Sequence, residues 1–219
     1  KSVCIDLKSD AGREVFYELV KKADVVLSNF SAGVPERLKI DFEHLSKVNP
    51  KIVTCSVTGF GETGPAQKRP AFDMVAQATG GGMSITGNPS TGPFRAGIPI
   101  GDLGGGLFGT IGILVALHER DRTGKGQHVD ISMLDAQVSM LSYMATMYFL
   151  SDENPYGIGN SHFVHVPYDV FKTKTRPVVL AIITDNFFAS LAEMLDDDFL
   201  RNEEYKTQPA RLRDQKKIN

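Results

Sequence analysis

Asp102 is the residue whose type and setting most directly suggest chemistry. It lies between Gly101 and a run of glycines at 104–106, where a long apolar segment with helical character begins. A helix N-terminus carries a partial positive charge and free N–H groups, which keep a carboxylate ionised, as a nucleophile must be, and stabilise a nearby oxyanion. The glycines leave room for a bulky acyl group, although close helix packing would also require them. The alternative is that Asp102 only caps the helix, as Asp often does.

Two further segments could bind a ligand. Residues 58–65 (TGFGETGP) place glycines and small hydroxyls after a predicted strand, which is where open α/β sheets bind ligands, although an ordinary loop has the same composition. Asn29 and Phe30 follow another predicted strand, and Arg37 lies downstream, so an aromatic ring and a cation are available for an adenine ring and a phosphate. A solvated surface position is the alternative for each cation in these segments and beside them, namely Arg37, Lys8, Lys68 and Arg69.

Metal and thiol chemistry have little support in the sequence. The histidines are scattered, and only His162 and His165 are close together, without cysteine or carboxylate partners, so we expect no metal site. Cys4 and Cys55 lie inside strand-like runs, which predicts buried thiols in a reducing compartment and neither a disulfide nor a thiol nucleophile. The methionines of residues 133–147 are more typical of a core or a subunit interface than of a cofactor site.

The elements that would position these residues alternate between strand and helix. Asp10 is the predicted N-cap of the first helix. The hydrophobic pattern predicts strands at 2–7, 24–27, 51–58 and 128–131, and helices at 10–22, 42–48, 70–79, 101–120 and 132–150. Short apolar strands separated by helices favour parallel pairing with helices on both faces. The fold class is therefore α/β, with a Rossmann-like, parallel-sheet large domain.

The pattern changes after residue 151. Residues 1–151 form the predicted large domain, and residues 152–165, which are polar and contain proline and glycine, are interpreted as a linker. Residues 166–219 are interpreted as the start of a smaller, incomplete α+β domain. It would open with a hairpin (167–172 and 177–183) and a helix (186–195), followed by a charged tail.

Composition limits the partners. The chain is 42% hydrophobic and 23% charged, with a net charge of −2, so no basic excess points to a nucleic acid. No run of 18 apolar residues occurs, and we expect no membrane span. No signal peptide is visible, so we expect a cytoplasmic location, or the mitochondrial matrix if the protein is eukaryotic.

Five segments together resemble one known family. They are residues 24–33 (DVVLSNFSAG), 54–65 (TCSVTGFGETGP), 70–82 (PAFDMVAQATGGG), 97–106 (GIPIGDLGGG) and 122–135 (RTGKGQHVDISMLD). In this order they resemble the CaiB/BaiF family of CoA transferases, also called class III or formyl-CoA transferase-like. The resemblance extends over nearly the whole chain.

The resemblance implies a set of site residues. Asp102 lies in the family's GD segment and would be the catalytic nucleophile. The acyl and oxyanion site would include Gly104 and Gly105, and a glycine loop that closes over it maps loosely onto Gly157 and Gly159. The CoA contacts would fall on Ile5, Asp6, Leu7, Lys8, Asn29, Phe30, Ser31, Arg37, Arg69, Phe72 and Asp73.

The resemblance also implies a reaction. CoA would move from an acyl-CoA donor to a carboxylic acid acceptor through an aspartyl anhydride and an aspartyl-CoA thioester, with coenzyme A as substrate and no permanently bound cofactor or metal. The family forms interlocked homodimers, and its opening βα unit would precede Lys1, with further chain after Asn219. Residues 165–174 and 205–207 resemble members that use dicarboxylates, such as succinyl-CoA:glutarate transferases.

Two alternatives remain open. A 2-methylacyl-CoA racemase shares the fold but uses a histidine where this chain has Phe72, and racemisation needs acid–base groups on both faces of the α-carbon. A non-catalytic CoA-binding protein or dimer scaffold is the other, although Asp102 in its glycine setting argues against it.

Overall fold

The computed structural model describes all 219 residues of the chain. They form two compact units. The first comprises Lys1–Ile85 and Phe94–Pro155, and the second comprises Thr86–Pro93 and Tyr156–Asn219. The segment interpreted as a linker, residues 152–165, is therefore divided between the two units. Residues 86–93 belong to the second unit, whereas the sequence analysis placed them in the large domain.

Helices and strands follow one another along the first unit. In chain order they are α1 (Asp10–Val20), β1 (Val25–Ser28), α2 (Val34–Leu38), α3 (Phe42–Val48), β2 (Val53–Thr58), α4 (Asp73–Thr79), α5 (Ile100–Thr123), β5 (His128–Ser132), α6 (Met133–Met140) and α7 (Tyr143–Ser151). The second unit contains β3 (Gly87–Asn88), β4 (Gly92–Pro93), β6 (Tyr168–Phe171), β7 (Val178–Ala181), α8 (Asp185–Leu195), a 3-10 turn (Glu203–Tyr205), α9 (Gln208–Arg213) and α10 (Gln215–Ile218).

A parallel sheet of three strands forms the centre of the first unit. Its order is β1-β2-β5, so β1 and β5 are its outer edges, and the predicted α/β class is confirmed. Val26, Thr54 and His128 lie side by side in its register. Helix α5 packs closely on β5, since a Cβ built on Gly112 would lie only 2.6 Å from Cγ1 of Val129. Glycine is therefore needed here for close packing.

The start of α1 shows how local sequence fixes a helix end. The Ser9 hydroxyl accepts a hydrogen bond from the Gly12 amide at 3.1 Å, so Ser9 is the N-cap and the prediction that Asp10 caps the helix is wrong by one residue. A Cβ on Gly12 would lie 2.0 Å from the carbonyl oxygen of Asp6, so only glycine fits against the preceding turn. α1 and α3 then enclose a small apolar core with Val20 and Leu45 at its centre.

Two predicted elements differ in the structure. Residues 2–7 form no strand, because none of the strands pairs with them and an unpaired strand leaves its backbone hydrogen bonds unmade. The helix predicted over 132–150 is divided into α6 and α7, because Ser142 has φ 52° and ψ −125°, outside the helical region.

Helix α5 is the longest element of the chain. By length and composition alone it could cross a membrane, so the expectation that no part of the chain enters one stays a prediction. Its buried residues are mostly glycines that face other elements. A Cβ on Gly109 would contact Val57 and Cys55 of β2 at 3.5 and 3.6 Å. These contacts are those of a helix packed on a sheet.

In the second unit, the predicted hairpin is confirmed by the antiparallel pairing of β6 with β7. The charged tail, in contrast, is folded, and Arg211 of α9 is completely buried. Its guanidinium donates to the carbonyl oxygens of Val166 and Tyr205 at 2.9 and 2.8 Å and to the Asp185 carboxylate at 2.7 Å. It also stacks on the Phe188 ring, with Cζ 4.3 Å from the ring centroid. One buried cation thus joins the tail to the hairpin and to α8.

Candidate active site

Asp102 lies in the first turn of α5, exposed to solvent. The N-cap of this helix is Pro99, whose side chain has no hydrogen-bonding group, so the free first-turn amides need a partner from elsewhere. That partner is Asp73, the first residue of α4. One carboxylate oxygen of Asp73 accepts from the amides of Gly101 at 2.8 Å and Asp102 at 3.3 Å. Asp102 is thus not the N-cap, and Asp73 caps α5 from another helix.

A buried glutamine holds Asp73 in place. The Gln77 side-chain amide, one turn further along α4, donates to the second carboxylate oxygen of Asp73 at 2.7 Å. Its own carbonyl oxygen accepts from the backbone amide of Ala96 at 2.7 Å. Gln77 is almost completely buried, so these bonds have no competing solvent. The chain from Ala96 through Gln77 and Asp73 fixes the backbone that carries Asp102.

The electrostatics of Asp102 differ from the sequence expectation. The helix N-terminus was expected to favour the ionised carboxylate. In the structure, desolvation raises the pKa of Asp102 above its ordinary value, and the negative charge of Asp73 raises the pKa further. The first-turn amides that would favour ionisation are already bonded to Asp73. Asp102 is therefore a more basic carboxylate than an isolated one, which increases its nucleophilicity when ionised.

The glycines after Asp102 serve packing. A Cβ on Gly104 would lie 2.4 Å from the methyl carbon of Met140 in α6, and one on Gly105 would lie 3.1 Å from Val57 and 3.2 Å from Met133. Both glycines are buried inside α5, beyond the first-turn amides that are left free at a helix start. This geometry supports the alternative of close helix packing and gives no support to their prediction as oxyanion donors.

A cavity of about 590 Å³ opens at the carboxyl end of the sheet. It brings together residues that are far apart in sequence and that the sequence predicted for CoA: Asn29, Phe30, Ser31, Arg37 and Arg69, together with Lys68. Its lining contains these cations and no carboxylate. A positive, partly apolar cavity of this size suits a nucleotide with phosphate groups.

The cavity follows the strand ends. Phe30 comes shortly after β1, Gly59 directly follows β2, and Met133 directly follows β5, so each strand of the sheet delivers part of the wall. This is the ligand position typical of open parallel sheets. The wall continues through Pro70 and Ala71 towards Asp73, and Met133 is also the residue packed against Gly105. Two residues of the wall, Val57 and Met133, therefore also pack against α5, at Gly105, three residues after Asp102.

Other predicted CoA residues lie outside this cavity. The residues concerned are Ile5, Asp6, Leu7, Lys8, Phe72 and Asp73. The Asp6 carboxylate accepts from the Lys8 amide at 3.0 Å, in a turn that leads into α1. Phe72 is 80% exposed, and Asp73 caps α5. The CoA contacts assigned to them therefore remain predictions that the shape of this cavity does not support.

Gly157 and Gly159 belong to the second unit. Gly159 donates its amide to the carbonyl oxygen of Gly87 at 2.7 Å, and a Cβ on Gly157 would lie 2.6 Å from that same oxygen. The two glycines therefore let this segment lie closely against the β3–β4 hairpin. Their predicted role as a loop over the acyl site stays a prediction.

Sequence reasoning did not assign Gln77 or Met133 to the site, whereas Thr58 opens the segment 58–65 that was considered as a ligand-binding loop. Thr58 lines the cavity, and its hydroxyl oxygen is buried without a hydrogen-bond partner. The signal for Thr58 and Met133 was their position at the ends of predicted strands. Nothing in the sequence pattern marks Gln77, because its role depends on a contact with Ala96, 19 residues away.

Comparison with known proteins agrees with this geometry. The family model described as CoA-transferase family III matches residues 1–219. The chain is 39% identical over 196 residues to acetyl-CoA:oxalate CoA-transferase of Acetobacter aceti, covering 89% of this chain and 50% of that protein. It is 40% identical over 200 residues to succinyl-CoA:mesaconate CoA-transferase of Haloarcula hispanica (90% and 50% covered). Human succinyl-CoA:glutarate CoA-transferase is 33% identical over 219 residues (100% and 50% covered).

A solved structure shows the same fold. It is that of a CAIB/BAIF family protein from Brucella suis, which matches with a TM-score of 0.87 and 34% identity over 100% of this chain and 58% of that one. The chain spans about half the length of the curated relatives that it matches. Since the family model matches every residue and the fold agrees with that of a family structure, this chain belongs to CoA-transferase family III.

Proposed function

We propose that the protein containing this chain transfers CoA from an acyl-CoA to a carboxylic acid, with Asp102 as the nucleophile. The observation that carries the proposal is the cationic cavity at the carboxyl ends of the strands, whose wall residues Val57 and Met133 also pack against α5, the helix that exposes Asp102 in its first turn. The cations suit the phosphates of CoA. Asp102 supplies a carboxylate of raised pKa on the helix that packs on Val57 and Met133 of the cavity wall.

In the proposed reaction, the ionised Asp102 carboxylate attacks the thioester carbonyl and expels CoA thiolate, which leaves an acyl-aspartyl anhydride. The thiolate then attacks the aspartyl carbonyl, releases the donor acid and forms an aspartyl-CoA thioester. The acceptor carboxylate attacks this thioester and expels CoA thiolate, which leaves a second anhydride between the acceptor and Asp102. The thiolate then attacks the acceptor carbonyl of this anhydride, forms the acceptor-CoA thioester and releases the Asp102 carboxylate. Each step exchanges one acyl bond for another, so no oxidant or reductant is required.

A dicarboxylic acid is the proposed acceptor class. The relatives named above are transferases for oxalate, mesaconate and glutarate, and each of these acids has two carboxyl groups. A screen of dicarboxylic against monocarboxylic acids, with succinyl-CoA as donor, tests this part of the proposal.

We also propose that the protein is a homodimer and that it is located in the cytoplasm. The dimer is supported by an apolar side of α5, where Leu107, Ile111 and Leu114 are exposed at helical spacing, as at a surface that is covered by another chain. Sedimentation of the full-length protein would measure the oligomeric state.

The decisive experiment tests the nucleophile. Full-length Asp102→Asn should lose transfer at least 1,000-fold, roughly the loss expected for a covalent nucleophile, and should still bind CoA. Asp135→Asn is the matched control, because Asp135 is also an exposed acid in the first turn of a helix. Hydroxylamine added after the acyl-CoA should modify the peptide that contains Asp102. Modification elsewhere, or an active Asp102→Asn, would contradict the proposal.

Deuterium uptake at the α-carbon of the acyl group separates transfer from racemisation. Phe72 carries no acid–base group, so in deuterated water the α-carbon of a 2-methylacyl-CoA should stay unlabelled. Rapid uptake of deuterium without an acceptor acid would favour the racemase instead.

A further inference from the structure

A hydrogen-bonded relay links β2, β5 and the loop that follows β2, and none of its residues lines the cavity described above. The Thr54 hydroxyl of β2 and Nδ1 of His128 in β5 are 2.7 Å apart. Nε2 of His128 and a carboxylate oxygen of Glu62 are also 2.7 Å apart. The backbone amide of Glu62 donates to both carboxylate oxygens of Asp130, at 3.1 and 2.9 Å. Two residues of β5 thus hold Glu62, His128 at its side chain and Asp130 at its backbone.

Glu62 belongs to the loop that follows β2, and the relay fixes the path of this loop. Gly61 has φ +81°, a conformation that favours glycine and that turns the chain back towards β5. The Gly59 carbonyl accepts from the Leu134 amide at 3.0 Å. A Cβ on Gly59 would lie 2.2 Å from Cβ of Ala71, so the start of the loop also lies against the cavity wall. The loop is therefore anchored on both sides of Phe60.

Phe60 does not line the cavity itself, but it contacts Arg69, which does. The Arg69 guanidinium lies over the Phe60 ring, with Cζ 5.3 Å from the ring centroid. Arg69 makes none of the ion pairs with carboxylates that other arginines of the chain make, so its charge is free for a ligand. Its guanidinium direction is set by the ring beneath it.

We propose that Glu62 and His128 are positioning residues for CoA binding, which act by holding Phe60 under Arg69 so that the guanidinium faces a CoA phosphate. This inference rests on the proposed function, since it takes the cavity to be the CoA site. The relay reaches the ligand only through the loop and the Phe60 ring, so its loss weakens binding and leaves the chemistry at Asp102 unchanged.

The bonding pattern argues for a dedicated relay. An ordinary surface pair joins two mobile side chains and contributes little. Here Thr54 is buried, both nitrogens of the His128 ring are engaged, and the backbone of Glu62 is fixed as well. A ring bonded at both nitrogens cannot rotate without losing a bond. The loop position is therefore defined by hydrogen bonds to residues of the central sheet.

The test is a double-mutant cycle in the full-length protein, with CoA affinity measured by calorimetry and with KM and kcat for acyl-CoA. The variants are Glu62→Gln, Glu62→Ala, Phe60→Leu, Arg69→Gln and the double variant Glu62→Ala/Arg69→Gln. Glu18→Gln is the matched control, because Glu18 is an exposed acid that pairs with Lys21 and lies away from both the cavity and the relay. Far-UV circular dichroism shows that each variant is folded.

Glu62→Ala and Phe60→Leu should each raise the Kd and KM about tenfold, with kcat within about twofold of wild type, as expected for loss of an aromatic partner of a cation. Glu62→Gln, which keeps an acceptor for His128, should lie closer to wild type. In the Arg69→Gln background, Glu62→Ala should add almost nothing, because both changes remove the same contact. Additive losses, a fall in kcat alone, or an unchanged KM in Glu62→Ala would overturn the inference. A wild-type protein that does not bind CoA would overturn the proposed function and the inference with it.

Discussion

Removing the carboxylate of Asp73 should release the first turn of α5, and the size of the effect follows from the bonds that are lost. Asp73→Ala leaves the amides of Gly101 and Asp102 without their cap, and it leaves the side-chain amide of Gln77 without an acceptor. Loss of a cap costs about 1 kcal/mol. An unpaired buried polar group costs about 1–3 kcal/mol. The free energy of unfolding should therefore fall by roughly 2–4 kcal/mol.

Asp73→Asn is the informative partner of this variant. Its carbonyl oxygen still accepts from Gly101, but its amide group faces the Gln77 amide, where two donors meet. Gln77 is prevented from reversing, because its own carbonyl oxygen accepts from Ala96. Asp73→Asn should therefore keep the cap and lose only about 1–3 kcal/mol, the cost of the unpaired Gln77 amide.

Hydrogen exchange measured by mass spectrometry on the peptide around residues 97–105 distinguishes the two variants. Because the cap is lost only in Asp73→Ala, the amides of Gly101 and Asp102 should exchange about 5- to 30-fold faster there, and close to the wild-type rate in Asp73→Asn. Asp135→Ala, in the first turn of α6, is the control for loss of a first-turn acid. Wild-type exchange in Asp73→Ala would show that Asp73 does not cap α5.

Three further predictions follow from charge and burial. The rate of transfer should fall as the pH drops through the pKa of Asp102, which lies above its ordinary 3.8. Asp73→Asn removes a like charge and should therefore move this acid limb of the pH–rate profile to lower pH. An acid limb at the wild-type pH would contradict the coupling between Asp73 and Asp102. Burial, followed by the charges of Asp130 and Glu62, raises the pKa of the Cys55 thiol to about 11. Iodoacetamide at neutral pH should therefore label the exposed Cys4 and reach the buried Cys55 only after urea is added. Mass spectrometry that shows equal labelling of the two cysteines without urea would refute this prediction. Arg211→Leu should destabilise the second unit by about 3–5 kcal/mol, since a buried cation network is broken, and Arg211→Lys by less. Limited proteolysis of residues 156–219 measures this last effect, and equal resistance of both variants would count against it.

The sequence predicts most of the sheet and of the CoA cavity because both depend on local patterns. The apolar runs at 24–27, 51–58 and 128–131 have too few residues for helices and match β1, β2 and β5 closely. Since ligands bind where parallel strands end, Asn29 and Phe30 could be assigned from position alone. Arg37 was suggested by its place downstream of them, with a solvated surface position as the alternative, whereas Arg69 needed the family resemblance, because a lone cation on a polar segment has no local signature.

What the sequence does not predict depends on distant partners. Residues 2–7 have strand composition, but a strand forms only where another supplies its hydrogen bonds. The break at Ser142 lies inside a continuous helical pattern, where composition gives no sign of a positive φ. The raised pKa of Asp102 comes first from desolvation and then from the charge of Asp73, 29 residues earlier, and both depend on how α4 meets α5. The Glu62–His128 contact spans 66 residues and has no periodicity to reveal it.

The open edges of the sheet have a consequence for handling the protein. β1 and β5 each pair on one side only, so the backbone N–H and C=O groups on their outer sides lie ready for another strand. Such pairing is made by the main chain and does not depend on which side chains arrive. Neither strand carries a proline that would block it. The 219-residue chain kept at high concentration should therefore self-associate through its strands, and its solubility should depend more on what covers these edges than on its net charge.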